Sequence, residues 1–190
     1  MNELLEKLQI KLRSASKIVF MGIGEEKLSD DGVGPYIISE LFDYINEKIL
    51  FINAATDPMD RIDEIVNFNP THLVLLDTCT FDGPPGTVTL LERENVKDYV
   101  PISTHTIPIH IIIDLIIKKI PNLVVFMIGF VPESLEGFTE LKLYKENEYS
   151  LEERSNSKDL PFFEFNLTKT MQKAADQVIK IIKKIILNLK

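Results

Sequence analysis

The sequence predicts an α/β chain: a three-layer α/β/α sandwich around a doubly wound, mostly parallel sheet with an antiparallel edge strand. Three observations predict it. The apolar runs KIVFM, HLVLLD and LVVFMIG are unbroken enough to be strands buried on both faces. Between such runs lie segments with apolar residues at helical spacing. Glycines and acids follow the strand ends, as at the β-to-α turns where open parallel sheets place their ligands.

Each element has its own signal. Leu4, Leu5, Leu8 and Leu12 predict a helix over 3–13, and the first strand is expected at 17–21. Gly32 and Gly34 open a helix over 33–44, with Ile37, Ile38, Leu41 and Phe42 facing the sheet. ILFIN, 49–53, is the second strand. Thr56 to Pro58 turns the chain into a helix over 59–66, with Ile62 and Ile65 inward. His72 to Asp77 is the third strand. Turn residues crowd Thr80 to Gly86, and the alternation in TVTLLE then marks an edge strand. A helix over 107–119 and a buried strand over 123–129 follow. Residues 133–159 are charged and polar, and read as a weakly structured surface insertion. The last helix spans about 167–189, where Ile179, Ile182 and Ile186 mark a buried stripe opposite Lys180, Lys183, Lys184 and Lys190.

At 190 residues and 45% hydrophobic, with no Pro/Gly/Ser-rich linker, the chain reads as one domain over 1–190. A net charge of −8 argues against a nucleic-acid surface, which needs clustered Lys and Arg. The single cysteine, Cys79, cannot form an internal disulfide and fits a reducing compartment, so a cytoplasmic protein is expected. The charged N-terminal stretch lacks the apolar core of a signal peptide, and Ile107 to Ile120 is too short to span a bilayer. Membrane insertion is therefore not expected, and a monomer is.

The chemistry is expected to converge at one edge of the sheet from three segments. GIGEEKLSDDGVGP carries Asp30 and Asp31 into the start of a helix, HLVLLD ends in Asp77, and STHTIP carries His105. One of the adjacent acids can satisfy free N–H groups at the helix start while its neighbour projects into the cleft. A carboxylate closing an apolar run is costly to bury without a partner, so Asp77 either meets one or lines a crevice. Two carboxylates and an imidazole make a hard, oxygen-rich site with one nitrogen donor. His72 and His110 read as structural. Cys79 reads as a small buried side chain, with no histidine adjacent in sequence to activate it. Gly22-Ile23-Gly24 lacks the third glycine of a dinucleotide fingerprint, and acids stand where pyrophosphate would meet the helix.

GIGEEKLSDDGVGPYI, THLVLLDTCT, GPPGTV, STHTIPI and MIGFVPE, in that order from about Lys17 to Pro132, resemble the [NiFe]-hydrogenase maturation endopeptidase family. The resemblance implies an α/β/α fold and a peptidase that removes a C-terminal peptide from the hydrogenase large-subunit precursor after nickel insertion. It implies Asp31, Asp77 and His105 as both catalytic and metal-contacting residues, with nickel carried by the substrate and no permanently bound cofactor. Two loops depart from the family pattern: Glu25 follows Gly24 where Asn is usual, and Ala54-Ala55-Thr56 replaces a Gly-Gly or Gly-Thr pair. The alternative is a nickel-binding accessory or scaffold protein for hydrogenase assembly that keeps the site without cleaving.

Overall fold

The computed structural model describes residues 2–98, 107–136 and 165–187. Helix α1 (Asn2–Lys11) precedes strand β1 (Ile18–Ile23), helix α2 (Val33–Leu41), strand β2 (Ile49–Ala55), helix α3 (Ile62–Phe68) and strand β3 (His72–Thr78). Strand β4 (Val88–Glu92), the one-turn helix α4 (Arg93–Val96), helix α5 (Ile109–Lys119), strand β5 (Val124–Phe130) and helix α6 (Lys169–Ile186) follow.

The strands form one sheet in the order β2-β1-β3-β5-β4. β1, β2, β3 and β5 are parallel, and β4 runs antiparallel to β5 at the edge. The period-2 alternation of the strands divides the core into two layers. Phe20, Val74, Leu76, Phe126 and Ile128 pack with Leu8 of α1, Ile37 of α2 and Val178 of α6. Val19, Met21, Leu73, Leu75 and Met127 pack with Ile65 of α3 and Ile112 and Ile116 of α5. Both faces are covered, which is why the strands read as continuous apolar runs. No helix among the described residues is long and apolar enough to cross a membrane.

Several elements differ from the sequence expectation. β1 continues through Gly22 to Ile23 instead of ending at Met21. α2 stops at Leu41 and tightens into a 3₁₀ turn over Phe42–Tyr44, which leaves Phe42 59% exposed rather than facing the sheet. α3 begins only after a 3₁₀ turn at Pro58–Arg61, with proline at its start where its missing N–H is not needed. In α6, Lys180 and Lys184 point to solvent, while Lys183 lies half-buried over the Tyr44 ring at 5.2 Å. Lys190 lies outside the described residues.

β2 and β3 flank β1 on opposite sides, so the winding reverses at β1 and leaves a crevice beyond the C-terminal ends of β1 and β3. The β1–β3 ladder ends at Gly22 opposite Leu76, and β1 shifts register against β2 between Gly22 and Ile23. Gly34, in the first turn of α2, fills the gap. A Cβ there would lie 2.3 Å from the Leu76 carbonyl oxygen and 2.5 Å from that of Ile23. A Cβ on Gly22 would lie 2.4 Å from the Gly34 carbonyl oxygen. These two glycines let the helix start enter between the strand ends.

Candidate active site

Asp31 sits in a buried 3₁₀ turn, Ser29–Gly32, that connects the end of β1 to α2. Its Oδ2 accepts a 2.7 Å hydrogen bond from the Glu25 backbone N–H, which closes the loop after β1 on itself. Gly24 makes room for this with φ +130°, and a Cβ there would collide with the Asp31 carbonyl oxygen at 1.8 Å. Asp77 is the penultimate residue of β3, opposite Gly129 of β5 and beyond the last rung shared with β1. Its Oδ1 accepts from the Thr78 backbone N–H at 2.7 Å.

Thr78 joins the two acids. Its hydroxyl lies 3.2 Å from Asp31 Oδ1 and 3.5 Å from Asp77 Oδ1. Both carboxylates are buried, Asp31 at 1% exposure and Asp77 at 0%. Burial pushes the Asp77 carboxyl well above the usual carboxylate range, and the neighbouring Asp31 charge pushes it further, against the opposing pull of the Thr78 hydrogen bonds. The structure thus brings together two of the three residues the sequence singles out. His105 lies outside the described residues, in the segment leading to α5. Among the described residues no three His, Cys, Asp or Glu side chains converge to hold a metal ion. Thr78 escaped the sequence reading; its one signal was a hydroxyl directly after a strand-ending aspartate.

Asp30 points elsewhere. Its Oδ2 accepts from the backbone N–H groups of Glu133 and Ser134, at 2.8 and 3.2 Å, and from the Thr168 hydroxyl at 3.1 Å. Its Oδ1 accepts from the Thr168 N–H at 2.8 Å. No side chain caps the start of α2, so the expectation that one acid serves that helix start gives way to a different division: Asp30 ties distant segments together while Asp31 turns to the Glu25 N–H and the Thr78 hydroxyl. At the beginning of the polar insertion expected over 133–159, the N–H groups of residues 133 and 134 are held by this carboxylate; residues 137–159 lie outside the described residues.

The remaining candidates sort by burial. Cys79 is fully buried against Gly129, and burial together with the Asp77 charge pushes its thiol up to about 12, so it supplies no thiolate. His72 is buried, with Nδ1 3.0 Å from the Thr71 hydroxyl, in the structural role expected. His110 instead lies exposed on α5, beside Arg93, Lys97 and Asp114 in a cavity of about 340 Å³. A second cavity, of about 320 Å³, opens where the turn after β2 (Thr56 to Asp60) meets Ile107 and Ile112 at the start of α5.

Residues 35–154 match the profile of the hydrogenase maturation protease (HycI) family. The chain belongs to this family. A putative hydrogenase maturation protease of Methanocaldococcus jannaschii is 32% identical over 139 residues, 69% of this chain and 81% of the relative. Hydrogenase 3 maturation protease of Escherichia coli K12 is 23% identical over 120 residues, 63% of this chain and 75% of the relative. The crystal structure of a [NiFe] hydrogenase maturation protease, HycI from Thermococcus kodakarensis, has the same fold: TM-score 0.74 and 21% identity, over 96% of this chain and 99% of that one. The protein is a hydrogenase maturation protease, and hence a peptidase. The family match takes in Asp77 and residue 105 and begins at Pro35, just beyond Asp31.

Proposed function

We propose that this protease removes the C-terminal peptide of a [NiFe]-hydrogenase large-subunit precursor after nickel insertion, and that Asp31, Asp77 and His105 contact the nickel which the precursor carries. The observation that supports this reading is the pair of buried carboxylates sharing the Thr78 hydroxyl at the crevice between β1 and β3. The Asp77 carboxyl, whose charged form is disfavoured by burial and by the Asp31 charge, gains from an arriving cation. At an effective dielectric of about 20, each carboxylate attracts a unit positive charge about 4 Å away by roughly 4 kcal/mol. A precursor without its metal brings no such compensation.

Oxygen and imidazole ligands suit a borderline cation but do not outcompete thiolates for it. The site therefore reads a nickel ion held by substrate cysteines without removing it. Metal contact also fixes the scissile bond in the crevice, and orientation of this kind contributes on the order of 7 kcal/mol or more to lowering a barrier. In this reading the protease works as a monomer in the cytoplasm, with no cofactor of its own. The test is incubation of the purified protease with nickel-loaded and nickel-free precursor. Shortening of the loaded form alone is expected; equal shortening of both, or of neither, overturns the reading.

A further inference from the structure

We propose that Asp30 is a positioning residue for Asp31: its buried carboxylate, bound by four donors from the segment after β5 and the start of α6, locks the turn that aims Asp31 at Thr78 and Asp77. The inference rests on the reading above, in which Asp31 meets the substrate's metal. Adjacent residues in the Ser29–Gly32 turn send their side chains in different directions, so a force that holds one carboxylate holds the other. Asp30 is engaged through its backbone as well as its side chain, because its N–H donates to the Ser134 carbonyl at 3.1 Å. Asp31 in turn accepts from the Glu25 N–H and the Thr78 hydroxyl, and both contacts depend on the turn staying in place.

The turn is strained. Ser29 is buried and takes φ +49°, the left-handed region that favours glycine. A conformation of this kind persists only where the surroundings over-determine it. The surroundings here are the Glu133, Ser134 and Thr168 donors, which reach Asp30 from more than a hundred residues away in the chain. Asparagine cannot replace this carboxylate. Both oxygens of Asp30 face donors, so whichever way the amide is turned, its NH₂ opposes an N–H or O–H group.

The experiment compares Asp30→Asn, Thr168→Val and Asp31→Ala with the wild type, reading kcat and KM on nickel-loaded precursor, thermal stability, and hydrogen exchange of the Glu25 amide by NMR. Asp30→Asn is expected to remain folded at the assay temperature. Its kcat is expected to fall by about 30- to 100-fold with KM within about threefold, the pattern of a misplaced catalytic group. The Glu25 amide, released from Asp31, is expected to exchange at least about tenfold faster. Thr168→Val removes one donor and is expected to give a smaller change in the same direction. Wild-type kcat, or a fall in kcat with Glu25 protection intact, overturns the inference; if Asp30→Asn does not fold, the same outcomes in Thr168→Val decide it. Asp31→Ala separates the two claims. Full activity in that variant defeats the site reading itself, whereas an inactive Asp31→Ala beside an unaffected Asp30→Asn defeats only the role of Asp30.

Discussion

At the C-terminal edge of the sheet, Asp31 and Asp77 are buried side by side around one threonine hydroxyl, whereas along α5 Asp114 meets Arg93 at 2.8 Å and Lys119 meets Asp63 at 2.9 Å, all four side chains largely in solvent. The exposed pairs are screened and contribute little to stability. Asp77 opposes folding when ionised, since desolvation and the neighbouring Asp31 charge both disfavour its charged form. Charge placed where it weakens the fold is a signature of function, and charge paired on the surface is not.

The strongest way to break this contrast is Asp77→Asn. Cleavage of nickel-loaded precursor is expected to drop by about 10²- to 10⁴-fold in kcat, while the thermal midpoint at neutral pH rises. The pH dependence of stability sharpens the point. The folded Asp77 carboxyl holds its proton above the 3.8 of an unperturbed aspartate, so over that interval the native state binds more protons than the unfolded chain. Its contribution is fully present below that value and is lost as pH rises through the folded pKa. Urea midpoints across pH are expected to decline less steeply for Asp77→Asn than for the wild type; parallel curves would contradict this account.

Gly34→Ala addresses the seam where the start of α2 meets the ends of β1 and β3. Its Cβ meets backbone oxygens that cannot swing away, so a loss of about 1–3 kcal/mol in urea unfolding is expected. Cys79 should matter less. Its thiol, raised to about 12, is expected to resist alkylation at pH 8 in the native protein, and Cys79→Ala is expected to keep kcat within about twofold while costing about 1 kcal/mol. Smallest is Arg93→Ala on the exposed side, where the shift in stability should not exceed about 1 kcal/mol and cleavage should be unchanged.

The sheet was legible because its strands are covered on both faces and therefore spell continuous apolar runs. Asp77 stood out for the same reason, as a charge closing one of those runs. The division of labour between Asp30 and Asp31 was not legible, because residues 133, 134 and 168 decide it and local sequence carries no record of them. Gly22 read as a turn although it continues β1, since a glycine required by a neighbouring helix looks in sequence like one required by a bend. The polar composition after Pro132 hid the tether at its start, because what Asp30 grips there is backbone N–H, which every residue except proline provides.

The Thr168 clamp has a consequence for biosynthesis. A chain emerging from the ribosome presents Asp30, Asp31 and Asp77 well before residue 168, and until then half of the donors to the Asp30 carboxylate do not yet exist. On the positioning role proposed for Asp30, the turn carrying Asp31 gains its full set of donors only after translation has passed the start of α6. That role, if the Asp30→Asn experiment bears it out, defers competence to cut to a late stage of synthesis.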